Sequence, residues 1–144
     1  MIMEDFVTFE IAKKLKEKGF REKCLCRYCK YSKTLHINEV EPKIARKIDY
    51  SEFFKCYNSY VVSDIDAPTI SQVLEWLRKV HHLHFEVVGA AYGYNLIISE
   101  TPNKGGTDRY YSHAKDDGPN YGGAWDEYED CVMYGIEYVL CNLI

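Results

Sequence analysis

The fold is decided by DAPTISQVLEWLRKVHHLHFEVVGAAYGYNLIIS, residues 66–99. Two periodicities follow each other inside it. Ile70, Val73, Leu74, Leu77 and Val80 recur at three- and four-residue intervals, and Trp76 widens the stripe, which is the pattern of one apolar helix face. Thr69 and Gln72 stand three apart ahead of it, the capping-box spacing in which a hydroxyl and a side-chain amide take two free N–H groups. The spacing predicts a helix over 70–81. HFEVV (84–88) and YNLIIS (94–99) then flank GAAYG, a short connector with glycine at both ends, which predicts a β-hairpin. The Ile and Leu content of the second strand places it centrally in a sheet.

Towards the N-terminus, Thr8 is a natural N-cap, Glu10 suits the positive end of a helix, and Ile11, Ala12 and Leu15 share a face. Gly19 supplies a left-handed stop, so a helix is expected over 9–18. In FREKCLCRYCKY (20–31), Cys24, Cys26 and Tyr28 alternate with Leu25, Arg27 and Cys29, the period of a half-buried strand. A short strand is expected at Leu35–Ile37 within a polar loop broken by Pro42. Tyr50, Phe53, Phe54 and Tyr57 have helical spacing, and Tyr60–Val62 reads as extended. Towards the C-terminus, 100–124 is glycine-rich, holds two of the four prolines and contains no aliphatic residue except alanine. It reads as a long loop with a short edge strand at Tyr110–Tyr111. A last helix is expected from Asp126, with Asp126 and Glu129 as a capping box and a face of Tyr128, Val132, Ile136, Val139, Leu140 and Leu143. Gly135 within it costs about 1 kcal/mol relative to alanine, which close packing would offset.

The expected class is therefore α+β: one domain over 1–144, with a small antiparallel or mixed sheet covered by about three helices. At 144 residues the chain buries roughly two-thirds of its unfolded surface. It has no apolar run of the ~18 residues that a bilayer requires. The first residues, MIMEDFVTFE, lack the basic and apolar regions of a secretory signal, so a cytoplasmic location with six reduced cysteines is expected.

Within this frame the segment APTISQVLEWLRKVHHLHFEVV (67–88) resembles a family of small uncharacterised bacterial proteins, many encoded in prophages and mobile elements. The resemblance rests on Ala67-Pro68-Thr69, Ser71, Trp76-Leu77-Arg78, His81, His84 and Glu86. FVTFEIAKKLKEKGF (6–20) and YEDCVMYGIEYVLCNLI (128–144) resemble that family's ends, and the three segments cover under half of the chain. It implies a phage or mobile-element origin and no established activity. The Cys-rich 24–29 and Gly-rich 104–124 segments look peculiar to this member.

Four groups of residues bear on function. Cys24, Cys26 and Cys29 with His36 are one metal candidate, although Cys-x-Cys departs from usual zinc spacing and a straight strand sends Cys29 to the opposite face from Cys24 and Cys26. His81, His84 and Glu86 are a second; there the alternative is polar residues at a helix end and on a sheet surface. Lys13, Lys14, Lys16, Lys18 and Arg21 form a basic helix in a segment, 1–55, with 13 Lys+Arg against 9 Asp+Glu. That surface suits a phosphate backbone, whereas 56–144, with 5 against 13, does not. Finally, of 13 tyrosines, Tyr110, Tyr111, Tyr121 and Tyr128 lie in or near the long loop beside Trp125, a composition suited to adaptable contact. The alternative for these aromatics is half-buried packing within the sheet. No Gly-x-Ser-x-Gly, phosphate-binding glycine loop or His-Glu-x-x-His occurs, so neither a catalytic set nor a cofactor is expected. The leading expectation is a non-enzymatic accessory protein acting by protein–protein contact. Nucleic-acid binding and metal binding are the alternatives, and the opposed charges of the two segments offer a route to homo-oligomers.

Overall fold

The computed structural model describes residues 5–37, 64–100, 110–112 and 118–144. The expected helical spacing at Tyr50–Tyr57, the extended Tyr60–Val62 and most of the 100–124 loop lie outside these residues, as does Cys56. Among the described residues, three α-helices and two three-stranded antiparallel sheets make an α+β fold, as the periodicities predict. The strands are shared between two sheets rather than gathered into one, and the chain divides into two compact units, Phe6–Thr69 and Met1–Asp5 with Ile70–Ile144.

In the first unit, α1 (Phe9–Glu17) begins where Thr8 Oγ1 accepts from the Ile11 N–H at 3.3 Å. Ile11, Ala12 and Leu15 are buried, and the helix stops at Gly19, whose φ is 92°. Strand β1 (Cys26–Tyr28) is central, pairing with β2 (Leu35–Ile37) and β3 (Ile65–Ala67). Cys26 and Ala67 are cross-strand neighbours in a small core closed by Phe6, Leu25, Tyr28 and Leu35. The alternation expected over 24–29 holds for Cys24 and Cys26 and fails at Arg27, which is also buried. Its Nε donates to Asp64 Oδ2 at 3.1 Å, so the charge is enclosed with a counter-charge.

In the second unit, α2 (Ile70–Val80) buries Ile70, Val73, Trp76 and Leu77. Between this helix and the next strand, His82 is a non-glycine residue at φ 58°. Strands β4 (Leu83–Ala90) and β5 (Gly93–Glu100) run further towards each other than expected and leave only Ala91 and Tyr92 as the turn. Strand β6 (Tyr110–Ser112) pairs with β5 and makes β5 central. Phe85 and Val87 pair with Ile98 and Leu96 on one face of the hairpin, while His84 and Glu86 point to the other.

Helix α3 (Tyr128–Asn142) packs on β4 and β5 and buries Cys131, Val132, Ile136, Val139 and Leu140. Each fully buried aliphatic side chain contributes about 1.5–3 kcal/mol. Gly135 is the point of closest approach: a Cβ there would lie 2.4 Å from Leu96 Cδ2 and 2.8 Å from Phe85 Cε2. This contact explains a glycine in a helix interior. The expected capping box at Asp126 and Glu129 is not formed. Glu127 is the N-cap and no side chain caps it, because the Asp126 carboxylate is engaged by Asn120 instead. Tyr128 is likewise exposed rather than part of the buried stripe. No helix among the described residues is long and apolar enough to cross a membrane.

Candidate functional site

The tip of the β4–β5 hairpin is tied to the segment before α3 by a two-bond bridge. Tyr94 N–H donates to Trp125 O at 2.7 Å, and Trp125 N–H donates to Tyr94 O at 3.0 Å. Residues 118–124 fold into a closed loop beside it. Asn120 N–H donates to Ala124 O at 3.0 Å, Gly123 N–H to Asn120 O at 2.9 Å and Gly118 N–H to Gly123 O at 3.0 Å. A single 3₁₀ turn, Tyr121–Gly123, forms the loop's outer end. The Asn120 side-chain amide joins the parts: Nδ2 donates to Tyr92 O at 2.8 Å and to Asp126 Oδ1 at 2.6 Å.

This scaffold holds four tyrosines at the surface. Tyr92 and Tyr121, 59% and 80% exposed, meet edge to face with ring centroids 5.1 Å apart. Tyr94 and Tyr128, 36% and 43% exposed, meet at 6.0 Å and 89°. Large aromatics normally bury most of their area, so four exposed rings on hydrogen-bonded backbone are an unusual outlay of apolar surface. An open recess of about 450 Å³ lies between Ala91, Tyr92, Gly93, Asn120, Tyr121 and Asp126.

Of the expected contact residues, Tyr121 and Tyr128 are exposed here. Trp125 is a correction: it is 7% exposed, its ring lies 5.0 Å from that of Tyr134, and its backbone rather than its side chain builds the site. Tyr110 and Tyr111 fall on β6, two positions of the strand that pairs with β5. Tyr92 and Tyr94 were missed. The signal was present in AAYGY, where tyrosines at a hairpin tip exceed what a two-residue turn can cover.

The metal candidates are distributed as follows. Cys24 and Cys26 are buried, and burial pushes their thiols up to about 12 and about 11. Cys29 sits at the start of the β1–β2 turn. There the Ser32 hydroxyl and the backbone N–H groups of Ser32 and Tyr31 bond its sulfur and hold the thiol below its ordinary range. Ser32 Oγ lies 2.6 Å from Thr34 Oγ1, which lies 2.8 Å from His36 Nε2, so Cys29 and His36 are joined through two hydroxyls. His36 is buried, and desolvation, with Arg27 nearby, lowers its pKa. His81 packs edge-on to Trp76 at 4.5 Å, and burial lowers its pKa too. His84 and Glu86 are exposed on one face of β4. Among the described residues, no three His, Cys, Asp or Glu side chains converge as a metal would require.

The thiol environments give a direct prediction. Thiolate is the reacting form, so iodoacetamide at pH 7.5 should alkylate Cys29 at least about 100-fold faster than Cys24, Cys26 or Cys131. The Cys131 thiol is likewise pushed up to about 11 by burial. Time-resolved peptide mapping reads the order, and equal rates at Cys24 and Cys29 would contradict it.

Lys13 and Lys16 on α1 and Lys18 at its C-cap are exposed, and Lys14 is half-buried. Arg21 is exposed, but its guanidinium donates to the carbonyls of Lys16 (3.1 Å) and Phe20 (2.9 Å), which fixes it against the end of its own helix. No family model, curated protein or solved structure matches the chain.

Proposed function

We propose that this protein is a non-enzymatic accessory protein that acts by contact with a protein partner through the tyrosines at the hairpin tip. The resemblance to small prophage and mobile-element proteins points to a partner in host or mobile-element machinery. The observation that carries the reading is the exposure of Tyr92, Tyr94, Tyr121 and Tyr128 on a backbone fixed by the Tyr94–Trp125 bridge and the Asn120 amide. Tyrosine offers a large amphipathic area with few rotatable bonds, so little entropy is lost when a partner covers it.

A photo-crosslinking amino acid placed at position 121 in the producing cell tests this. Tyr31 is the control, because it is 81% exposed but belongs to the other unit. The expected result is a discrete adduct from position 121 that Tyr92→Ala and Tyr128→Ala suppress, and no such adduct from position 31. Identical patterns from both positions, or none from 121, would remove the reading.

A further inference from the structure

We infer that the recess between Tyr92, Tyr121 and Asp126 receives an arginine side chain of the partner. This deepens the contact reading above and rests on it. The recess combines two aromatic rings with a carboxylate whose Oδ1 is held by Asn120 Nδ2 at 2.6 Å. Ring faces attract cations through their quadrupole, and a carboxylate supplies the complementary charge. No Lys or Arg is among the described residues lining it.

The surroundings carry the same sign. Asp126, Glu127, Glu129 and Asp130, interrupted only by Tyr128, are exposed carboxylates around the start of α3. Residues 116–144 contain seven Asp+Glu and no Lys or Arg, so the chain supplies no cation of its own along this stretch. An anionic or phosphorylated occupant would meet repulsion, and a neutral apolar one would leave the Asp126 carboxylate desolvated. Among cations, the guanidinium is planar, weakly hydrated and forked. It stacks on a tyrosine ring while pairing with a carboxylate, whereas the ammonium of lysine holds its water more strongly.

The test uses the full chain and a minimal probe. Nα-acetyl-arginine amide is titrated into ¹⁵N-labelled protein and the amides of Gly93, Tyr121 and Gly122 and the Asn120 side chain are followed. Nα-acetyl-lysine amide and the neutral isostere Nα-acetyl-citrulline amide are titrated in parallel. Saturable shifts with arginine, weaker ones with lysine and none with citrulline are expected. Asp126→Asn keeps an acceptor for Asn120 and should weaken arginine binding about tenfold or more. Tyr121→Leu, at a position too exposed to affect folding, should weaken it about three- to fivefold, and Tyr121→Phe should leave it intact.

Equal shifts with citrulline, an equal response to lysine, or indifference to Asp126→Asn would each overturn the assignment. The crosslinking result at position 121 is read independently. An adduct there without an arginine response would keep the contact surface and discard this occupant. An arginine response without an adduct would leave a guanidinium-binding recess but overturn its assignment to a protein partner's side chain.

Discussion

Replacing Asp64 with alanine should lower the stability of the protein by about 3–5 kcal/mol, the largest effect of any single polar substitution in the described residues. The reason is enclosure. The Arg27 and Asp64 side chains are 5% and 2% exposed, with Nε and Oδ2 3.1 Å apart. Removing the carboxylate leaves a guanidinium that can be neither deprotonated nor readily rehydrated in the centre of the β2–β1–β3 sheet. The pair itself is worth much less than this figure, because both charges gave up hydration to form it. Arg27→Met together with Asp64→Leu should therefore recover most of the loss, to within about 1–2 kcal/mol of the parent. Urea unfolding of the two single variants and the double variant reads the cycle. A single-variant loss under about 1 kcal/mol would mean that the pair is solvated and that β1 is not shaped around it.

This ion pair also marks the boundary of what the sequence discloses. Short-range patterns were legible because helix and strand periods are local: Thr8 and Gly19 delimit α1, Ile70–Val80 is the helix that its stripe describes, although Val80 at its end is exposed rather than buried, and β5 is central as its Ile and Leu content implies. Gly135 was legible as a packing contact for the same reason, since a glycine in a helix interior needs a neighbour. Arg27 was not, because its burial depends on Asp64, 37 residues away, and alternation assigns a lone arginine to solvent. The division of strands between two sheets was hidden likewise, since a period of two says that a strand exists but not which strand it joins.

At the contact site, exposure was the hidden variable. Tyr121, Tyr128 and Trp125 look alike in sequence, but Trp125 is buried and packs against Tyr134 while the two tyrosines are exposed. The Asp126–Glu129 spacing misled because a carboxylate can serve a helix end or a neighbouring amide. Here Asn120 takes Asp126 while also gripping Tyr92 O, which fastens loop to hairpin. The spacing groups Cys29 and His36 as metal candidates, yet two hydroxyls, Ser32 and Thr34, stand between them.

Gly93→Ala should cost about 3 kcal/mol or more and abolish the contact site together with the stability. Gly93 has φ of 128°, a region L side chains rarely adopt, and a Cβ there would lie 2.2 Å from Trp125 O and 2.8 Å from Trp125 C. Both atoms are backbone, so no rotamer change relieves the clash. Relief requires Trp125 to withdraw, which breaks the paired bonds between Tyr94 and Trp125 and moves Asn120 and Asp126 away from Tyr92. Gly89→Ala is the matched control in the same hairpin: its Cβ would meet nothing within 4 Å, and the change should stay within about 0.5 kcal/mol. Thermal unfolding compares the two. The crosslink at position 121 should vanish in the Gly93 variant and persist in the Gly89 variant, even at temperatures where both remain folded. If the Gly93 variant were as stable as its control and still crosslinked, the bridge would not be what positions the tyrosines, because a hairpin tip free to accept a methyl group at that distance from a carbonyl oxygen is not held against Trp125 at all.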